Sequence, residues 1–419
     1  MKRILIALLT FSGTVAADTL TVNQAVELGL KNNFSIRIAR VATEQSYNNR
    51  KLKTGAILPT VRVDGSATAT NSSVALSPAG NTTSNEIKST ASLNWTLFDG
   101  FRMFYAGRKI DEQITLSELA TRNEIESAVA TIMTAYYQLT SQQSLLEVAR
   151  KQLALSQSQL EFTRAQYEYG RIGQREVLNQ IVMTNADSSQ VLTRQLDVTN
   201  ALHALNIALG RTPDTPVQPE RDTLAVPPQE DARYWYFEAL EHNTGLKMSV
   251  IRRNIAHTSF AINRAALWPT LAVNGSVSAV FTEPEDYVRS QGGVTLSIPL
   301  FDGFSRITAT RNAALDTASA SLTVQQQRLE LQSLVYRQWE QLTNSYHSAQ
   351  FEREAIIRAQ QSLALSQEQF KLGRISALQL REAQLALTTA QVRYETALFL
   401  NKAVALQLKQ LAGRIVLED

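Results

Sequence analysis

The sequence predicts a mainly α-helical chain with a small β part, built from two tandem copies of one structural unit. Three observations predict it. Two long stretches, Arg102 to Tyr169 and Ser305 to Leu372, contain no proline, and Gly107 is their only glycine. Short segments upstream of each alternate apolar and polar residues. The motifs between these segments recur at a constant offset. Glycine (17) and proline (10) are sparse in the 419 residues, as long helices require and loop-rich α/β domains do not.

The first element is an export signal. Lys2 and Arg3 precede an apolar run from Ile4 to Phe11, and small residues ending in Val15, Ala16 and Ala17 lead to Asp18. This order predicts a signal peptide over 1–17, cleaved after Ala17. The run is shorter than the ~20 residues of a spanning helix. Asp18 rather than a cysteine would lead the mature chain, which argues against a lipoprotein anchor. No later stretch is long and apolar enough to span as a helix, so membrane residence would have to be β-structure. The chain has no cysteine, and its net charge of +3 carries no basic footprint for nucleic acid.

The duplication is read from landmarks. Leu97-Phe98-Asp99-Gly100-Phe101 returns as Leu300-Phe301-Asp302-Gly303-Phe304, Gly170-Arg171-Ile172 as Gly373-Arg374-Ile375, and Gly210-Arg211 as Gly413-Arg414, all at an offset of 203. Upstream, Leu58-Pro59-Thr60 matches Trp268-Pro269-Thr270 and Asn33 matches Asn243, at 210. The seven extra residues fall between Pro59 and Phe98. The first repeat is thus 18–211 and the second 233–419. A connector, 212–232, holds Pro213, Pro216, Pro219, Pro227 and Pro228 and reads as extended.

Each copy runs helix, two strands, long helix, turn, returning helix. The strands are expected at about 60–71 and 89–98, and at 270–281 and 292–301. In them Val61, Val63, Gly65 and Ala67 alternate with Arg62, Asp64, Ser66 and Thr68, and Val294, Leu296, Ile298 and Leu300 with Thr295, Ser297 and Pro299. Period two with one polar face describes strands wet on one side. Strands near ten residues suit a tilted bilayer crossing. The Ser/Thr/Asn-rich segment 71–90 reads as an exposed loop. The long helices would each reach about 100 Å at 1.5 Å per residue, with heptad seams such as Leu146, Ala149, Leu153, Ser156 and Leu160.

Two motifs punctuate the copies. In Leu-Phe-Asp-Gly-Phe, Asp99 and Asp302 are expected to cap the helix that follows, and Gly100 and Gly303 to ease the change of direction. The neighbouring aromatics (Trp95, Phe98, Phe101, Phe104, Tyr105, Phe301, Phe304) fit a membrane-interface girdle or ordinary core packing. Gly170 and Gly373 are expected to end the long helices at hairpin tips near 170–173 and 373–376. The repeated Arg171-Ile172 and Arg374-Ile375 put a cation beside an apolar residue there, which suits a docking surface. Glu176, Glu382 and Asp187 lie on returning helices, where charges usually mark a solvated face. No nucleotide, zinc, serine-hydrolase or dithiol motif is present, and His203, His242, His257 and His347 are scattered. An enzyme, a resident metal and a cofactor are therefore not expected.

Four strands cannot close a barrel, since single-chain membrane barrels start at about eight strands. Open edges are not tolerated in lipid, so several copies would have to pool their strands. The ordered set of signal peptide, duplicated helix–Pro–strand hairpin, "LFDGF", long helix, "YxxGRI" and returning helix resembles the TolC-like outer-membrane efflux family over the whole mature chain. The resemblance implies a homotrimer in the outer-membrane lipid of a Gram-negative bacterium. Each subunit would give four strands to a twelve-stranded barrel, and its helices would form a periplasmic α-barrel. It implies that Gly170, Arg171, Ile172, Gly373, Arg374 and Ile375 meet a periplasmic adaptor, the membrane fusion protein. That adaptor would serve an inner-membrane pump or an ABC transporter of type I secretion. The family's acidic periplasmic constriction falls on Gln379 and Glu382, with Glu176 after the first tip. Gln379 departs from the acidic pattern, and Glu176 is expected to pair with Arg374 or Arg381. Two other readings fit the same pattern: a non-conducting surface adhesion or structural coiled-coil protein, and a soluble periplasmic coiled-coil adaptor.

Overall fold

The structure, a computed structural model, describes residues 19–72, 82–220, 225–282 and 285–415. The expected signal peptide, the middle of the expected 71–90 loop (73–81) and part of the connector (221–224) lie outside them. In chain order the elements are β1 (Thr19–Leu20), α1 (Val22–Asn32), α2 (Phe34–Asn48), α3 (Arg50–Gly55), β2 (Thr60–Ser72), β3 (Thr82–Phe98), α4 (Arg102–Glu168) and α5 (Gln174–Ala208). They continue as β4 (Gln218–Pro219), α6 (Ala232–His242), α7 (Thr244–Ala265), β5 (Thr270–Thr282), β6 (Tyr287–Ser297), α8 (Ser305–Lys371) and α9 (Ala377–Leu411). Both long helices, α4 and α8, are continuous over 67 residues. The described residues form two compact units, each drawn from separate stretches of the chain. One takes its residues from Met1–Ile38, Asn123–Asn243 and Glu330–Asp419, the other from Ala39–Arg122 and Thr244–Leu329.

In the first unit, a core of Ala25, Ile132, Tyr136, Leu139, Ala201, Leu205, Ala208 and Leu209 packs α1, α4 and α5 together. The Tyr136 hydroxyl lies 2.8 Å from the Leu20 carbonyl and 3.1 Å from that of Glu220. It thereby supports a short parallel pairing of β1 with β4 that periodicity could not signal. Side-chain amides anchor the rest of the connector. Asn206 Nδ2 donates to the carbonyls of Pro213 and Thr215, both at 2.8 Å. The Asn401 side chain accepts from the Val226 amide at 2.6 Å and donates to its carbonyl at 3.1 Å.

The landmarks Asn33 and Asn243 gain a physical role here. Asn33 breaks the helix between α1 and α2, and its Nδ2 donates to the Ala208 carbonyl at 2.8 Å; Asn243 does the same for the Leu411 carbonyl at 3.0 Å. The glycines after those helix ends have positive φ, 70° at Gly210 and 65° at Gly413. A Cβ at Gly210 would lie 2.6 Å from the Asn32 carbonyl oxygen, and one at Gly413 2.7 Å from that of His242. Only glycine fits both the backbone and the space.

The second unit holds an antiparallel sheet in the order β2-β3-β5-β6. Its register puts Val61 opposite Leu93, Leu93 opposite Gly275, and Val273 opposite Val294. One face therefore gathers Val61, Val63, Leu93, Trp95, Val277, Val294 and Leu296, all exposed. Arg62, Asp64, Ser92, Ser276, Gln291 and Thr295 share the other. Two strand limits differ from expectation. β3 starts at Thr82 rather than near 89, because β2 pairs with it up to Ser72. β6 runs Tyr287–Ser297 rather than 292–301, because β5 begins at Thr270 opposite Ser297, and among the described residues no strand pairs with Ile298 to Phe301.

Candidate functional site

The hairpin tips are built alike. At the end of α4, Gly170 has φ 68°; its amide donates to Tyr167 and that of Arg171 to Gln166, each at 2.9 Å. Gly373 (φ 71°) and Arg374 repeat this with Phe370 and Gln369, again at 2.9 Å. These paired bonds are the Schellman closure that satisfies the last carbonyls of a helix. The tips leave Arg171 and Arg374 exposed, while Ile172 and Ile375 are half-buried. Ile375 packs on Leu363, Leu380 and Ala383. The apolar side chains most open at the tips are Tyr169 (80 % exposed) and its repeat counterpart Leu372 (66 %). Sequence reasoning passed over both, although they directly precede the motif.

The returning helices start differently. Ser376 caps α9 in a reciprocal capping box: the Gln379 amide donates to Ser376 Oγ at 3.3 Å, and Gln379 Oε1 accepts from the Ser376 amide at 2.9 Å. Gln379, placed in the constriction from its position, is thus engaged in starting its own helix. At the equivalent place Gly173 caps α5 without a side chain, and Glu176 occupies the first turn. Hydrogen bonds from its own amide and from Arg175, at 3.2 Å, hold the Glu176 carboxyl below the usual range. Its ion-pair partner is Arg175, not Arg374 or Arg381 as expected, because Arg381 is committed elsewhere. Glu382 is exposed.

Arg381 makes a bidentate pair with Asp187: Nη2–Oδ1 and Nη1–Oδ2 are both 2.8 Å. Ser156 Oγ also bonds Asp187, Gln152 Nε2 reaches it at 3.4 Å, and Thr388 Oγ1 donates to Gln152 Oε1 at 2.9 Å. Asp187 is 8 % exposed, which corrects its expected place on a solvated face. Burial alone would raise its pKa; the bonds from Arg381 and Ser156 and the guanidinium charge outweigh this and hold it below the usual range. This cluster ties α4, α5 and α9 within the first unit.

At the strand-to-helix turns Asp99 accepts from the Met103 amide and Asp302 from that of Arg306, both at 3.2 Å, so both carboxylates do bind helix amides. Gly100 and Gly303 take positive φ, and so do the phenylalanines after them: Phe101 at 69° and Phe304 at 66°. A left-handed phenylalanine is strained and rare. Edge-on contact with the preceding ring, 5.4 Å for Phe98–Phe101 and 5.3 Å for Phe301–Phe304, accompanies it. Phe101, Phe104, Phe301 and Phe304 are exposed rather than packed in a core. Among the described residues no helix is long and apolar enough to cross a membrane, and no cluster of three or more His, Cys, Asp or Glu side chains could hold a metal.

A family model described as outer membrane efflux protein matches residues 25–211 and 235–414. The chain belongs to the outer membrane efflux protein family. Among curated relatives, the outer membrane efflux protein BepC of Brucella suis is 23 % identical over 405 residues, covering 93 % of this chain and 86 % of its own. The alkaline protease secretion protein AprF of Pseudomonas aeruginosa is 26 % identical over 233 residues, covering 54 % of this chain and 48 % of its own. The solved CmeC outer membrane channel of Campylobacter jejuni matches with a TM-score of 0.78 at 15 % identity, over 95 % of this chain and 87 % of that one. Membership places the chain in the outer membrane among efflux and secretion channels, and not among enzymes.

Proposed function

We propose that three copies assemble into one exit duct, each giving β2, β3, β5 and β6 to a twelve-stranded barrel in outer-membrane lipid. The carrying observation is the four-stranded sheet, with one mostly apolar face and β2 and β6 as its edges. In lipid those edges need partners, and the polar face needs water, so closure around a wet lumen satisfies both. The exposed phenylalanines of the strand-to-helix turns would lie at the interface. The proposal includes removal of residues 1–17 on export, and two tandem copies, 18–211 and 233–419, joined by the connector.

The helices would form a periplasmic tunnel whose tips dock a periplasmic adaptor, itself bound to an inner-membrane pump or an ABC transporter of type I secretion. Exposed Arg171 and Arg374 beside Tyr169 and Leu372 support this, since such a surface pairs charge steering with apolar contact. Efflux and protein secretion are supported by the relatives' names, BepC for the first and AprF for the second. Glu382, exposed just behind the second tip, and Glu176, kept ionised, would favour cations at the periplasmic mouth.

The test is reconstitution of detergent-purified protein into planar bilayers, with its mass measured by light scattering. Trimers with discrete cation-preferring conductance are expected. A stable monomer, or trimers that never conduct, would return the chain to the adhesive or structural reading.

A further inference from the structure

The charges of the sheet carry an inference that rests on the reading of a wet lumen and names what that lumen would hold. β2 bears Arg62 and Asp64, β3 bears Glu86 and Lys88, β6 bears Arg289, and β5 bears no charge. The register sets Arg62 opposite Ser92, Asp64 opposite Thr90, Lys88 opposite Ser66 and Arg289 opposite Ser278. Glu86 stands opposite Thr68 and Thr282. Every charge of the four strands is therefore on the polar face, and cations exceed carboxylates by one.

The charges are not evenly spread. Arg62 Nε lies 2.7 Å from Asp64 Oδ1, so these two cancel. Among the described residues Lys88 and Arg289 belong to no ion pair. The remaining carboxylates gather at the turn between β5 and β6, where Asp286 accepts from the Thr282 amide at 3.1 Å beside Glu285. Glu86 shares the row of Thr282, Lys88 lies one row further in, and Arg289 two rows. Neighbours on one face of a strand are about 7 Å apart, so Glu86 attracts Lys88 without pairing with it.

The two cations stand on a packed floor. Val280 is apolar yet lies on the polar face, between Lys88 and Tyr287 in the register, and it is 3 % exposed. A lysine stem and a tyrosine ring cover such a residue while their polar ends stay in water. In the next row Ser278 is buried between Thr90 and Arg289, its Oγ 3.0 Å from Thr90 Oγ1. The Arg289 guanidinium lies 5.6 Å from the centroid of the Tyr287 ring, which holds the cation on this face. With β5 between them and one row of offset, the backbones of Lys88 and Arg289 are about 12 Å apart.

We infer that Lys88 and Arg289 form a station for small organic anions, di- and tricarboxylates above all, on the water-lined face of the barrel. A guanidinium offers a carboxylate two parallel donors and an ammonium offers a second carboxylate a point charge. The spacing lets two long side chains converge on one such molecule, and the hydroxyls of Thr90 and Tyr287 add donors on the same face. The station is opposite in sign to Glu176 and Glu382, so it lowers the cation preference that those residues would confer.

The test is recording from the full chain in planar bilayers in dilute potassium chloride, with citrate added as the probe. Citrate is expected to block the unmodified channel. The double variant Lys88→Gln/Arg289→Gln should need about tenfold more citrate and should prefer potassium over chloride about threefold more strongly. Because the chain has no cysteine, Arg289→Cys offers a second route should the double variant fail to fold. A cationic thiol reagent should restore its citrate block, and an anionic one should weaken the block further. Val288→Cys, on the opposite face, should respond to neither reagent. Unchanged selectivity and citrate block in the double variant, or an Arg289→Cys channel indifferent to both reagents, overturns the station while leaving the duct in place. Silent bilayers from the unmodified protein sink the duct reading itself, and the station with it.

Discussion

Replacing Arg381 by methionine would leave Asp187 charged, buried and without its cation. The magnitude follows from the geometry. Both carboxylate oxygens accept from the guanidinium at 2.8 Å, and the two side chains are 10 % and 14 % exposed, so solvent does little to screen the pair. Removing one partner of such a pair costs about 3–5 kcal/mol, most of it the desolvation of the charge left behind. Local opening of α9 against α4 and α5 would then be about 10²–10³ times more frequent, at 1.4 kcal/mol per tenfold. Hydrogen exchange of peptides covering 377–390 and 180–190 reads this opening directly, without assuming two-state unfolding of a large membrane protein. The double variant Asp187→Leu/Arg381→Met should recover most of the protection, since an apolar replacement carries no stranded charge.

The pH dependence has a defined sign. The folded pKa of Asp187 lies below its unfolded value, so its contribution is complete above about pH 3.9 and is lost as pH falls through the folded pKa. Without Arg381 two of the influences that lower the pKa are lost while burial still opposes ionisation, so the pKa is higher than in the unmodified protein and the gap in protection between the two should narrow as pH falls. Unchanged exchange in Arg381→Met at pH 7, or a double variant no better than the single, would refute the claim that this pair holds the returning helices.

Other expectations follow from the same structure. Gly210→Ala should lower thermal stability by more than Gly170→Ala, since both strain a positive φ by about 1–2 kcal/mol but only the first meets a backbone oxygen at 2.6 Å; circular-dichroism melts of the two variants give the order. Ser376→Ala should cost about 1 kcal/mol at the start of α9, seen as faster exchange there, with conductance unchanged. Glu382→Gln should leave that exchange alone and reduce cation preference in single-channel recording. Val294→Arg on the apolar face should cost about 2–4 kcal/mol if it sits at the bilayer midplane and should reduce assembled trimer on gels, whereas Thr68→Arg on the polar face should not.

Much of the candidate site was legible because its signals are local. Gly170 and Gly373 end helices through their own backbone freedom, and Asp99 and Asp302 accept from amides four residues on. The capping role of Gln379 was also within reach, since Ser-x-x-Gln is a known helix start; matching the position to a family constriction obscured it. The burial of Asp187 was not within reach. Its partner lies 194 residues away, and a charge on a helix gives no sign of which face it occupies.

By itself the sequence determined the strand faces and the places where helices stop, because these depend on period and punctuation along the chain. The tertiary structure alone decided where the strands end, since pairing needs a partner, and it fixed the partner of Arg381. It also showed why Gly210 must be glycine, through the approach of a carbonyl from a distant turn. Contacts across long separations depend on which faces the fold brings together, and no local pattern records that choice.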